Sequence, residues 1–311
     1  MFLRGQRKKA LLIVNPKSGS GRSAGVIAPC ITALADAGWE TLAFTTSCRG
    51  DAVQIAADYG ADADLLVCSG GDGTMDEVIR GVMELDKQDR PRIGYLPMGS
   101  TNDFASALRL PKRLDQMIDT VINGSAKEVD VGCFNGRYYA YLASFGAFTD
   151  MSRSTSQEAK NALGFLAYLG GGMNSIANIR PMHITAVANG TIIDDEFAFG
   201  AVSNTTSVAK LINYKDALTD LNDGLFEVIF IKYPVNPIEL GKIAHAITAG
   251  DFSTDLVTHF RCSEVTIGFD EPVPWILDGE DADCGHEVVI KNVHSAVRIM
   301  VPVMDLSTQF G

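Results

Sequence analysis

Along residues 1–130 the apolar positions alternate between two rhythms. Residues 10–15 form an apolar run that ends at Pro16, as for a strand covered on both faces. Ser23 is placed to cap a helix carrying Val26, Ile27, Ile31 and Leu34 on one side and closing at Gly38, with Pro29 as an interruption. Residues 41–45 read as a second strand, and Asp51 opens a helix through Val53, Ile55 and Ala56. Residues 65–68 are a third, buried strand; residues 75–83 then have helical spacing at Met75, Val78, Ile79 and Val82. Residues 93–96 make a fourth strand, followed by a helical stretch at 102–108. Alternation of this kind with short connections predicts a doubly wound parallel sheet, which binds ligands where loops leave the carboxyl ends of its strands.

Near Asp130 the pattern changes. Residues 138–143, 183–188, 196–202, 225–232, 264–269 and 288–291 read as strands, separated by turns such as Asn135-Gly136, Asn189-Gly190 and Asp223-Gly224. Helical stretches at 159–179 and at 237–249, the latter closed by Gly250, interrupt them. The expected fold is α/β plus all-β. A doubly wound parallel-sheet domain over 1–130 is followed by a mainly antiparallel β-sandwich domain over 131–311, with a C-terminal tail that is a candidate to return to the first domain.

Composition narrows the function. The 311 residues are 46% hydrophobic and 21% charged, which excludes a mainly disordered chain. Against 26 Lys and Arg stand 38 Asp and Glu, a net charge of −12, so the surface has no general attraction for nucleic acid or anionic lipid. A phosphate-bearing partner must be held locally. The longest uncharged, largely apolar run, residues 162–173, is shorter than the ~20 residues of a membrane-spanning helix, and reads as core rather than as a lipid-facing flap. Arg4, Arg7, Lys8 and Lys9 before the first apolar run echo an export signal, but the run meets Asn15-Pro16 with no cleavage site, which argues against export. Six cysteines (30, 48, 68, 133, 262 and 284) show no metal-ligand spacing with the five histidines and suit a reduced cytoplasm.

Three turns follow strands of the first domain. Gly70-Gly71-Asp72-Gly73-Thr74 lies between a buried strand and a helix start, where glycines allow close backbone approach and helix N–H groups face an anion. A carboxylate there would repel a bare phosphate, so Asp72 makes sense meeting one through Mg²⁺ or water. The plainer reading is a tight strand–helix turn with an acidic residue near the helix dipole. Asn15-Pro16-Lys17-Ser18-Gly19 and Pro97-Met98-Gly99-Ser100-Thr101-Asn102-Asp103 leave other strands in the same way. Neither a Walker P-loop nor a dinucleotide G-x-G-x-x-G occurs. In the second half, Asp220-Leu221-Asn222-Asp223-Gly224-Leu225 reads either as an oxygen-ligand loop for a hard cation or as an Asp-Gly hairpin turn. Glu280 by itself reads as a solvated turn residue, and Trp275 as core.

Taken together, N-P-x-S-G, G-G-D-G-T, P-x-G-S-x-N-D-F, V-D-V-G, Asn222-Asp223-Gly224 and Leu277-Asp278-Gly279-Glu280 make the chain resemble the bacterial diacylglycerol kinase and lipid kinase family, whose catalytic domain is shared with sphingosine kinases. The resemblance covers about residues 8–300. It implies ATP as co-substrate, bound in a cleft between the two domains by Asn15, Pro16, Lys17, Ser18, Gly19, Thr46, Gly70, Gly71, Asp72, Gly73, Thr74, Met75, Asp76 and Ser100. It also implies catalytic Asp72, Glu280 as general base, and Mg²⁺ at a structural loop using Asp220, Asp223 and Leu225. Ser100 stands where the family has threonine, and Asp76 where it has asparagine; the Gly-Gly often found before the metal loop is absent around residues 208–211. Asp130 is expected to serve the domain junction through hydrogen bonds.

The implied reaction is ATP- and Mg²⁺-dependent phosphorylation of a lipid hydroxyl, first of all diacylglycerol to phosphatidate. Alternatives are another acceptor (a sphingoid base, ceramide, phosphatidylglycerol or NAD) and a non-catalytic, nucleotide-gated lipid-binding protein. The expected setting is cytoplasmic, with peripheral, transient contact at the inner membrane face, no nucleic-acid partner, and a homodimer as a possible assembly.

Overall fold

The computed structural model describes residues 8–100, 102–146, 181–205, 207–208, 212–213, 220–282 and 285–303. The chain divides into two compact units, Met1–Val129 with Ser295–Gly311, and Asp130–His294.

The first unit is built on strands β1 (Lys8–Val14), β2 (Trp39–Thr45), β3 (Leu65–Gly70) and β4 (Arg92–Pro97) and helices α1 (Ile27–Asp36), α2 (Asp51–Tyr59), α3 (Asp72–Met83), α4 (Asp103–Ala107) and α5 (Leu114–Asn123). The pairs β1–β2, β1–β3 and β3–β4 are parallel, giving the order β2-β1-β3-β4, and residues 298–299 add a further parallel strand beside β4. Ala10 to Val14 and the whole of β3 are buried, as continuous apolar strands inside a two-sided sheet must be. Cys30 and Leu34 of α1 pack with Met117, Ile118 and Val121 of α5 over Leu12, Val67 and Leu96. The order reverses between β1 and β3, and at such a switch point the outgoing loops diverge and leave a crevice.

Two expectations in this unit need correction. Ser23 caps no helix: its hydroxyl is buried and donates to Ser69 O at 3.0 Å. The chain instead passes through three successive left-handed residues, Gly19, Ser20 and Gly21, before α1 begins, and Pro29 sits in its first turn, where a missing N–H costs nothing. The helix expected at 102–108 is the short α4, and Asn102 before it has φ +49°.

The second unit is mainly antiparallel. Its strands are β5 (Ser125–Phe134), β6 (Arg137–Tyr139), β7 (Leu142–Gly146), β8 (Met182–Ala188), β9 (Thr191–Ser203), the pair β10 (Ser207–Val208) and β11 (Ile212–Asn213), β12 (Phe226–Lys232), β13 (Val257–Cys262), β14 (Glu264–Phe269), β15 (Trp275–Leu277), β16 (Glu280–Ala282) and β17 (Glu287–Val301). Pairing runs β16-β15-β7-β9-β8-β14-β17, and the long β9 also pairs β12, which pairs β13. Asn135-Gly136 and Asn189-Gly190 both have positive φ at both residues, the geometry that matches a tight hairpin to strand twist. Helix α6 (Pro237–Ala249) starts where Asn236 Oδ1 accepts Glu239 N–H at 2.9 Å and ends at left-handed Gly250. Trp275 is fully buried against Phe134, Phe145 and Phe269.

The strand expected at 138–143 is broken into β6 and β7, the one expected at 288–291 runs on to Val301, and β5, β10, β11, β13, β15 and β16 lie outside the strands the sequence pattern predicts. The helix expected at 159–179 lies outside the described residues, as do Thr101 and Cys284.

Candidate active site

In the first unit, all three motif turns leave the carboxyl ends of neighbouring strands, and they pack on one another. Asn15, just past β1, donates from Nδ2 to Thr74 Oγ1 at 3.1 Å, joining the first turn to the second. Its Oδ1 accepts Lys17 N–H at 3.1 Å, closing the turn on itself. Gly19, at φ +61°, lies so close to the third turn that a Cβ would stand 2.1 Å from Met98 O. A Cβ on Gly99 would be 2.8 Å from Gly71 Cα, so these two turns touch backbone to backbone. Only glycine permits these approaches, and they hold the three turns against one another at one edge of the sheet.

Asp72 opens α3, and its carboxylate accepts the amides of Asp103 at 3.2 Å and Phe104 at 3.4 Å. Both are long for bonds from N–H to a carboxylate. The second turn therefore organises the third as well as offering a charge. Thr46 is buried and donates its N–H to Val14 O at 2.8 Å, next to the first turn. Ser100 and Lys17 are exposed, Pro16 and Ser18 half-buried, and Gly73 exposed on the first turn of α3. Gly70 is buried under Thr74.

Two of the expected nucleotide contacts look inward. Met75 is fully buried and its amide donates to Gly71 O at 3.1 Å, so it supports the turn from beneath. Asp76 is 2% exposed, and its Oδ2 lies 3.3 Å from Arg80 Nη1 in an i,i+4 ion pair of α3.

Sequence reasoning passed over Glu77. It is buried on α3 and accepts Gly50 N–H at 2.9 Å and Ala52 N–H at 3.2 Å, which ties the loop after Thr46 and the start of α2 to the phosphate-type turn. A charged residue one place before the buried Val78 and Ile79 was the available signal. Burial, followed by the carboxylates of Glu77 and Asp72, pushes the Cys68 thiol far above its ordinary value. On the same side Asp51 takes hydrogen bonds from Cys48 and Ser47, which hold its carboxyl well below the usual range.

Glu280 belongs to the second unit. Asp278 and Gly279, both at positive φ, form the turn between β15 and β16, and Glu280 pairs with Leu277 across it. Its Oε2 is 2.8 Å from Arg137 Nη2, and its side chain is 14% exposed, so it is not the solvated turn residue that the local sequence suggests. Arg137 Nη1 also donates to Asp281 O at 2.9 Å. The turn is anchored by Asp278, whose Oδ1 accepts Tyr141 N–H at 3.1 Å and Leu142 N–H at 2.8 Å while Oδ2 accepts Ala140 N–H. These bonds draw on the amides between β6 and β7, where the expected strand breaks.

At the loop 220–225, Asp223 Oδ1 accepts Leu225 N–H at 2.9 Å and Oδ2 pairs with Arg261 Nη2. Asp130 is fully buried; its Oδ2 accepts Gly224 N–H at 2.7 Å, and Oδ1 faces His294 Nδ1 at 3.0 Å. Asn204 Nδ2 bridges Asp130 O and Leu221 O at 2.9 and 3.3 Å. Asp220 is exposed. Among the described residues no three His, Cys, Asp or Glu side chains gather as a metal site. A cation here would draw on oxygens of Asp220, Asp223 and Leu225, partly from the backbone, an all-oxygen set that fits a hard divalent ion.

A family model for the diacylglycerol kinase catalytic domain matches residues 9–134. The diacylglycerol kinase of Bacillus subtilis (strain 168) is 33% identical over 278 residues, covering 88% of this chain and 90% of that protein. The diacylglycerol kinase of Staphylococcus carnosus (strain TM300) is 33% identical over 279 residues, covering 88% and 89%. Among solved structures, a diacylglycerol kinase from Bacillus anthracis str. Sterne superposes with a TM-score of 0.72 at 19% identity, covering 96% of this chain and 98% of that one. A further chain from the same organism reaches 0.80 at 21% identity, covering 96% and 99%. At those identities the superpositions speak for the fold.

Proposed function

The chain belongs to the diacylglycerol kinase family and is a lipid kinase, and we propose that it transfers the γ-phosphoryl group of ATP, with Mg²⁺, to the free hydroxyl of diacylglycerol, yielding phosphatidate and ADP. The observation that carries this reading is the mutual packing of the turns at Asn15, Gly71 and Gly99 at the carboxyl end of a parallel sheet, with the Asp72 carboxylate among them.

Phosphoryl transfer asks a protein for positioning and charge compensation more than for covalent chemistry. The turn amides and the first turn of α3 would hold the phosphates, with Asn15, Pro16, Lys17, Ser18, Gly19, Thr46, Gly70, Gly71, Gly73, Thr74 and Ser100 as the nucleotide's surroundings. Met75 and Asp76 would shape that surface from below. Mg²⁺, when bound beside Asp72, supplies neutralisation of the phosphate charge. Glu280 would accept the hydroxyl proton as the acceptor oxygen bonds to the γ-phosphorus and the bond to the β-phosphate oxygen breaks. Arg137 and Asp278 hold Glu280 in place for that task. A cation at Asp220, Asp223 and Leu225 would be structural.

On this reading the enzyme works in the cytoplasm, with a homodimer as a candidate assembly, and meets its lipid by transient contact at the inner membrane face. No helix among the described residues is long and apolar enough to cross a membrane. Asp72→Asn tests the reading: it should remove Mg²⁺-dependent transfer, and because the new NH₂ faces one of the two amides that Asp72 accepts, it should cost only about 1 kcal/mol of stability. Unchanged turnover at limiting Mg²⁺ would overturn the role of Asp72.

A further inference from the structure

We propose that Arg261 competes with a divalent cation for the Asp223 carboxylate, and so sets how tightly the loop 220–225 takes Mg²⁺. The inference rests on reading that loop as a cation site. Asp223 Oδ1 is committed to its own turn through Leu225 N–H, which leaves Oδ2 to meet an external charge, and there it meets Arg261 Nη2. A guanidinium and a divalent ion are both cationic, and neither sits at full strength on an oxygen the other occupies.

Arg261 has a second carboxylate within reach. Its Nε lies 2.9 Å from Glu227 Oε1, and Glu227 Oε2 is 2.7 Å from His259 Nε2. When a cation takes Asp223, Arg261 keeps Glu227, so the exchange gives up one ion pair rather than two. The loop's path does not depend on Arg261. Asp130 holds Gly224 N–H, and Asn204 holds Leu221 O, from elsewhere in the unit. Both partners of the exchange can reach solvent, Arg261 with 33% and Asp223 with 23% of its side chain exposed. Removing the guanidinium therefore changes the charge the loop presents and leaves its shape.

Calorimetric titration of the full chain with Mg²⁺ alone, without nucleotide, tests this. The heat that disappears in Asp223→Asn identifies the loop and separates it from any binding at Asp72. Arg261→Gln should tighten that Asp223-dependent binding about tenfold, which is ~1.4 kcal/mol. Arg261→Lys keeps the charge but loses the two-pronged fork, and should fall between Arg261→Gln and the parent. An Asp223-dependent heat with the same affinity in all three proteins would overturn the role of Arg261 and leave the cation reading standing. No Asp223-dependent heat in any of them would overturn the cation reading and this inference together.

Discussion

Asp278 carries a large predicted effect on stability, because one buried carboxylate serves three amides. The residue is 6% exposed and accepts from Ala140, Tyr141 and Leu142, while its own N–H donates to Leu142 O at 2.9 Å. Replacing it by alanine leaves three donors facing a site with no acceptor. Hydrogen bonds to a charged group contribute ~1.5–3 kcal/mol each, but they share one carboxylate and some water will enter, so a loss of ~4 kcal/mol is expected rather than the full sum. For units of this size that corresponds to a fall in melting temperature of roughly 8–16 °C. Asp278→Asn keeps Oδ1 for Tyr141 and Leu142 and turns an NH₂ toward Ala140 N–H, so about half the loss should remain. Thermal and urea melts followed by near-ultraviolet circular dichroism would report it, since Trp275 lies three residues away in the core. Turnover, measured well below the new melting point, should also fall, because Glu280 is two residues from the anchor. A change below about 1 kcal/mol in Asp278→Ala would show that the three amides find other partners and that the turn is not held in this way.

Glu280→Gln should lower kcat by about 10²–10⁴-fold, the usual contribution of a general base, with ATP binding unchanged by calorimetry; retention of more than about half the parental kcat would remove Glu280 from the mechanism. Gly99→Ala drives a methyl group into Gly71 Cα and should raise KM for ATP more than it lowers the melting temperature; the reverse ranking would mean that the contact is structural. Cys48 is exposed, but its hydrogen bond to Asp51 raises its pKa from the ordinary 9.0. Less thiolate is then present at neutral pH, and the alkylation-rate profile should inflect above that value. Asp51→Asn should speed the labelling, and an unchanged rate would contradict the cause. Cys30 and Cys262, pushed by burial up to about 11 and about 12, should stay unlabelled in the native protein.

How far the chain could be read in advance depended on where each residue finds its partner. Helix α6 was legible to its last residue because Asn236-Pro237 and Gly250 act on neighbours within four residues. Strands β1 and β3 were legible because burial on both faces demands an unbroken apolar run. Ser23 misled because its partner, Ser69, lies far along the chain on β3, and because three left-handed residues before α1 leave no repeating pattern. The break after β6 is imposed by Asp278, far along the chain. Strand β13, Val-Thr-His-Phe-Arg-Cys, hides its alternation because His259 and Arg261 turn to Glu227 on β12. The three turns of the candidate site are contiguous motifs and could be found by eye, whereas Glu77, Arg137 and Asp278 act across 27, 143 and 138 positions.

The central claim is that this lipid kinase uses ATP and Mg²⁺ to phosphorylate diacylglycerol. Its most direct test is incubation of the purified full chain with γ-labelled ATP and Mg²⁺ in mixed micelles, each holding diacylglycerol, a sphingoid base, ceramide or phosphatidylglycerol, with soluble NAD alongside. Labelled phosphatidate is expected from the diacylglycerol micelles, abolished by chelation of Mg²⁺ and by Asp72→Asn. Label on a different acceptor, or on none while ATP still binds, would contradict it.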